Sequence, residues 1–184
     1  YFGTFNPIHI GHLIIANHMV ENSNLEEVWM VVTPHNPFKK KKTLLDNYQR
    51  YEMVYEATEE YPLLKPCDIE FGLPQPSYTV NTLVHLKEKY PQHDFSLIMG
   101  EDNLQSLHKW KNAEVLIEAH DIYVYPRVVQ NKKEVKVSCE SVFFIDAPIV
   151  EISSSAIRSA IKKDKNIRPL LPQRVWEYID KMNL

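Results

Sequence analysis

Glycine is scarce here, at 4 of 184 residues, and neither glycine-rich phosphate fingerprint occurs: there is no G-x-G-x-x-G and no G-x-x-x-x-G-K-[ST]. The 2 cysteines, Cys67 and Cys139, stand apart, without the paired spacing of a disulfide framework or a structural zinc site. That usage fits reduced thiols in a cytosol. No apolar run is long enough to span a bilayer, and the first residues do not form a signal peptide. Neither sign of charge is in surplus, the formal net charge being -3, so nothing points to nucleic acid or an anionic membrane as a partner. Repeats, low-complexity tracts and interdomain linkers are missing as well. These absences leave a soluble, cytoplasmic chain read as one domain over residues 1–184, whose 44% hydrophobic and 24% charged residues are ordinary for a packed core.

What is present is densest in Gly3-Thr4-Phe5-Asn6-Pro7-Ile8-His9-Ile10-Gly11-His12-Leu13. Tyr1 and Phe2 read as the tail of a buried strand, which predicts a few residues upstream to complete it, and Gly3 lets the backbone turn. Pro7 fixes its own φ and keeps Asn6 extended, so no helix begins before His9. From Gly11 onward, Leu13, Ile14, Ala16, Asn17 and Val20 recur at helical spacing. His9 and His12 therefore stand together at a helix mouth beside exposed backbone N–H groups, an anion site best suited to phosphate. The competing reading, an H-x-x-H half-site for zinc, lacks its further ligands.

Strand-like apolar runs alternate with amphipathic helices along the rest of the chain, which predicts a mostly parallel, doubly wound α/β sheet with helices on both faces. Expected strands are 28–32, 67–71, 95–99, 122–125 and 142–145. Asp46 and Gln49 form a capping-box pattern ahead of a helix with apolar Tyr51, Val54, Tyr55 and Ala57. Thr79 opens another helix, short ones follow at 102–108 and 113–119, and Ser153-Ser154-Ser155 and Pro172 begin the helices of a C-terminal portion, about 153–184. Residues 34–45, with the run Lys39 to Lys42, and the polar stretch 127–140 read as exposed loops. Gly3 to His12, Thr33 to Lys39, Gly100 to Trp110 and the serine triplet all follow strands, so they should converge on the carboxyl edge of the sheet, where ligands bind.

The block Gly3-Thr4-Phe5-x-Pro7-x-His9-x-Gly11-His12, with Ile152-Ser153-Ser154-Ser155-x-Ile157-Arg158, resembles the nucleotidyltransferases bearing the HxGH signature. Pro76-Ser77-Tyr78-Thr79 and Met99-Gly100-x-Asp102-Asn103-Leu104, followed by Trp110, extend the resemblance over nearly the whole chain, toward the bacterial nicotinate-nucleotide adenylyltransferases. The resemblance implies a Rossmann-like fold and transfer of AMP from ATP to nicotinate mononucleotide, giving nicotinate adenine dinucleotide and pyrophosphate in NAD biosynthesis. It implies His9, His12 and Arg158 as catalytic groups on the ATP phosphates. Gly3, Thr4, Phe5, Gly11, Gly100, Asp102, Ile152, Ser153 and Ser154 would complete the ATP site. Asn6, Thr79, Trp110 and Lys39 would serve the second substrate. Magnesium would accompany ATP and needs no protein cage.

Plainer roles stand beside these. The serine triplet can be a helix cap, Trp110 a core aromatic, Thr79 a helix-start residue, Gly100 a strand terminator and Asp102 an N-cap. An acceptor of the same chemical kind, nicotinamide mononucleotide or phosphopantetheine, and a nucleotide-binding module without turnover are the rival functions. The sequence sets no limit on homo-oligomer formation.

Overall fold

The computed structural model describes residues 1–35, 44–128 and 140–184, in which strands and helices alternate. Strands β1 (Phe2–Gly3), β2 (Val28–Val32) and β3 (Leu64–Cys67) pair in parallel in the order β1-β2-β3. Strands β4 (Leu97–Gly100), β5 (Ile122–Tyr125) and β6 (Val142–Phe144) pair likewise in the order β4-β5-β6. Parallel neighbours need crossovers, and helices supply most of them. Helix α1 (Ile10–Glu21) joins β1 to β2, α2 (Asn47–Thr58) joins β2 to β3, and α3 (Thr79–Lys89) joins β3 to β4. Helices α4 (Glu101–Ser106) and α5 (Ala113–Ala119) lie between β4 and β5, and α6 (Ser154–Ile161) and α7 (Gln173–Met182) follow β6. No helix among the described residues is long and apolar enough to cross a membrane.

Side chains alternate across a strand, and here that alternation feeds two cores. Val28, Met30 and Val32 of β2 join Ile98, Tyr123 and Tyr125 in one core, which α1, α2, α6 and α7 cover. Val31 joins Leu97, Met99, Ile122 and Val124 in the other, covered by α3, α4 and α5. Both three-stranded ladders thus share both faces, which is the expected doubly wound α/β arrangement. The backbone ladder is divided, however, and β1, with only 2 paired residues, stands at the edge of its half, where the carbonyls of Tyr1 and Gly3 accept from the N–H groups of Val31 and Thr33.

Several local expectations need correction. The third strand is Leu64–Cys67 rather than 67–71; residues Ile69–Gly72 curl into a 3-10 turn. Pro66 is tolerated there because β3 lies at the edge of its ladder. In α1 the buried side is Leu13, Ile15, Ala16 and Met19, whereas Ile14 is 40% exposed and Asn17 faces solvent. The helix is apolar nearly all round, so spacing alone could not select its inner face. Tyr55 of α2 is likewise exposed, with Met53, Val54 and Ala57 packed inward. The Asp46 cap appears as expected: its Oδ1 accepts from the Tyr48 N–H at 2.9 Å, and Gln49 Oε1 accepts from the Asp46 N–H at 3.3 Å. The expectations for Lys39 to Lys42 and for most of 127–140, together with Cys139, lie outside the described residues.

Candidate active site

The turn after β1 is held by an aromatic clamp. A Cβ at Gly3 would come within 2.7 Å of the Phe5 ring, so only glycine lets that ring fold back over the strand end. Phe5 takes a positive φ of 42°, a strained conformation for an aromatic residue, and burial of its ring keeps it there. The ring meets His12 edge to face, with centroids 5.1 Å apart.

His9 occupies the N-cap of α1 and His12 the third helical position, so one helical turn stacks their rings, with centroids 3.7 Å apart. Gly11 makes room for the stack, since a Cβ there would lie 2.9 Å from Val150 Cγ1 and 3.1 Å from His9 Nδ1. The His9 backbone N–H donates to His12 Nδ1 at 3.2 Å. In the neutral imidazole this places the proton on Nε2, making that atom a donor. Burial, aided by the Arg127 charge, lowers the His9 pKa to about 4. His9 is thus neutral at physiological pH, and its Nδ1 has no hydrogen-bond partner among the described residues.

That depression makes folding stability depend on pH. Between about 6.5 and about 4 the unfolded chain binds a proton that folded His9 refuses, so stability falls as the pH drops through this window. The full loss is about 3 kcal/mol and is absent above the upper limit. Urea denaturation across that range should show the decline, and His9→Gln should flatten it; an equally steep decline in the variant would contradict the assignment.

Two chambers adjoin His12, and the first of them also reaches His9. The first, of about 380 Å³, is walled by His9, Gly11, Ile152, Ser153, Ser155 and Arg158 among others. Arg158 donates to the Asn6 carbonyl at 2.7 Å and to Ser155 Oγ at 3.2 Å, and Ser154 Oγ donates to the Pro7 carbonyl at 2.9 Å. Ser153 caps α6, accepting from the Ala156 N–H at 3.2 Å. The serine triplet therefore does cap its helix, and it does so in the wall of the chamber. Two helix N-termini, of α1 and α6, meet there and favour negative charge.

The second chamber, of about 580 Å³, is lined by Gly3, Phe5, Thr79 of α3, Asp102 and half-buried Trp110 among others. Thr4, His12, Arg127 and Ser154 line both chambers, which consequently meet beside His12. Two expected residues sit elsewhere. Asn6 lines neither chamber; it is buried, and its Oδ1 accepts from the Leu45 N–H at 3.3 Å. Gly100 also lines neither, but a Cβ there would meet Asp102 Oδ1 at 2.5 Å and Arg127 Cγ at 2.8 Å. Lys39 is outside the described residues.

Sequence reasoning missed Arg127 and Arg50. Arg127 follows β5 and approaches Asp102 Oδ1 at 3.9 Å; its place just beyond a strand's carboxyl end was the available signal. Arg50, fully buried in α2, donates to the carbonyls of Thr4 at 2.6 Å, Thr33 at 2.8 Å and Leu45 at 3.1 Å, tying the turns after β1 and β2 together.

Comparison with known proteins identifies the family. Residues 1–160 match the family described as cytidylyltransferase-like. Over 184 residues the chain is 67% identical to a probable nicotinate-nucleotide adenylyltransferase of Flavobacterium johnsoniae, spanning 100% of this chain and 95% of that protein. It is 66% identical to the protein of the same description from Flavobacterium psychrophilum, with the same coverage. Its fold matches a solved nicotinic acid mononucleotide adenylyltransferase of Plasmodium falciparum, complexed with NaAD, with a TM-score of 0.82 at 22% identity, covering 100% of this chain and 94% of that one. By that match over residues 1–160 and these near relatives, this chain belongs to the cytidylyltransferase-like family, beside the nicotinate-nucleotide adenylyltransferases.

Proposed function

We infer that this chain transfers the AMP part of ATP to nicotinate mononucleotide, releasing pyrophosphate and forming nicotinate adenine dinucleotide for NAD biosynthesis. The observation that carries the reading is the meeting of two chambers at His12, one walled by helix N-termini and Arg158, the other by Trp110 and the start of α3. The acceptor's phosphate is already a nucleophile at neutral pH, so the protein's task is alignment and neutralisation of developing charge. In this reading the triphosphate lies in the first chamber against His9, Gly11, the α6 N-terminus and Arg158. The acceptor's pyridine ring stacks on Trp110, its carboxyl group approaches Thr79, and the reacting phosphates meet beside His12 and Arg127. Arg127 holds no bidentate partner in Asp102 at 3.9 Å, which leaves its fork suited to a phosphate.

Members of this family generally use a divalent metal. Among the described residues no cluster of three His, Cys, Asp or Glu is placed to cage one. Magnesium carried by the triphosphate would keep most of its water and screen phosphate charge when bound. We place the reaction in the cytoplasm, with its ATP.

The test is an acceptor panel. Purified protein with ATP and magnesium should release pyrophosphate with nicotinate mononucleotide well ahead of nicotinamide mononucleotide or phosphopantetheine. Preference for either of those would overturn the acceptor, and tight ATP binding without any product would favour a non-catalytic module. In the same assay Trp110→Ala should weaken acceptor binding by roughly 1–3 kcal/mol while ATP affinity changes little.

A further inference from the structure

Glu70 follows β3 in the wall of the second chamber and is 1% exposed. One carboxyl oxygen, Oε1, accepts from Thr82 Oγ1 of α3 at 2.6 Å. The other, Oε2, is buried with no hydrogen-bond partner among the described residues. The hydroxyls of Thr33 and Ser77 lie close enough to favour the ionised form without completing a bond to Oε2. Among the described residues no cation is paired with the group, and burial pushes its pKa above the ordinary carboxylate value. Native proteins seldom bury a carboxylate without a cation to answer it. Two of the cations that line the chamber are otherwise disposed: Lys111 Nζ lies 4.6 Å over the Tyr78 ring, and Arg127 faces Asp102.

The missing cation can come with the substrate. In a nicotinate mononucleotide the ring nitrogen bonded to ribose is quaternary, so the ring is a pyridinium with a permanent positive charge. We propose that the Glu70 carboxylate is the counter-charge for that pyridinium, and so a specificity-determining residue that selects a cationic ring over a neutral one. The proposal rests on the reading of the second chamber as the acceptor site. Trp110 would offer the cation its π face while Glu70 supplies the anion within the wall, and both act on the ring rather than on its carboxyl substituent. Thr82 of α3 holds the carboxyl through Oε1, and Thr33 and Ser77 line the chamber near it.

The experiment uses Glu70→Gln, which keeps an acceptor oxygen for Thr82 and removes only the charge. The KM for nicotinate mononucleotide should rise roughly ten- to fiftyfold, with the KM for ATP and kcat little changed. A neutral-ring analogue, the C-riboside phosphate of 3-carboxybenzene, separates charge from shape. The unaltered protein should bind it at least about tenfold more weakly than the pyridinium substrate, and Glu70→Gln should bind the two with affinities within about threefold. An unchanged acceptor KM in Glu70→Gln would reduce Glu70 to a structural role. Equal binding of the two ligands by the unaltered protein would overturn the proposal without any variant. Failure of the unaltered protein to turn over nicotinate mononucleotide would instead overturn the acceptor reading beneath it.

Discussion

His12→Ala is expected to lower kcat by about 10²–10³ while the protein remains folded, the scale of losing one preorganised donor to a developing negative charge. The imidazole lines both chambers, so it stands where the attacked phosphorus would pass between them. Its Nδ1 is occupied by the His9 N–H at 3.2 Å, so Nε2 is the nitrogen that can donate. Two further substitutions separate that donor from the helix-start bond. Asn at this position can accept from the His9 N–H but cannot reach as far as Nε2, and it should be as slow as Ala. Gln can present an amide N–H near Nε2 and should recover part of the rate. A near-normal kcat in His12→Ala, measured by pyrophosphate release, would remove this side chain from the mechanism.

Arg50→Met is expected to have the largest effect on stability. Arg50 is 0% exposed and its guanidinium is shared among the carbonyls of Thr4, Thr33 and Leu45 and the Asn47 amide oxygen. Methionine fills similar space but leaves at least two of those carbonyls buried without a donor, at about 1–3 kcal/mol each. The melting temperature should therefore fall by roughly 5–15 °C. Arg50→Lys keeps the charge but not the planar fork, and should fall between the two. A melting temperature within about 2 °C of the parent protein would show that water replaces the guanidinium at no loss. Because Thr4 belongs to both chambers, the variant should also lose turnover before it unfolds.

These two residues mark the limits of what the sequence disclosed. His12 was legible because its neighbours in space are its neighbours in the chain: a glycine turn, a proline and a helix start set it within a dozen positions. The Asp46 cap was legible for the same reason. Arg50 was not, since the carbonyls it holds lie 46 and 17 positions earlier and a helical arginine reads as solvent-facing. Glu70 and Arg127 were hidden likewise, their surroundings being assembled from separate strand ends. The alternation of strands and helices revealed the doubly wound layering, because burial on both faces leaves continuous apolar runs. It could not reveal which side of an almost wholly apolar α1 turns inward, nor that the third strand begins three residues sooner and ends where a 3-10 turn takes over.

The bonds from Ser154 to Pro7 and from Arg158 to Asn6 join positions 147 and 152 apart in the chain. During synthesis the histidine turn leaves the ribosome early and must wait for almost every later residue before α6 arrives to brace it. A nascent chain halted short of α6 would carry both imidazoles and still lack the two side chains that fasten the turn between them and β1.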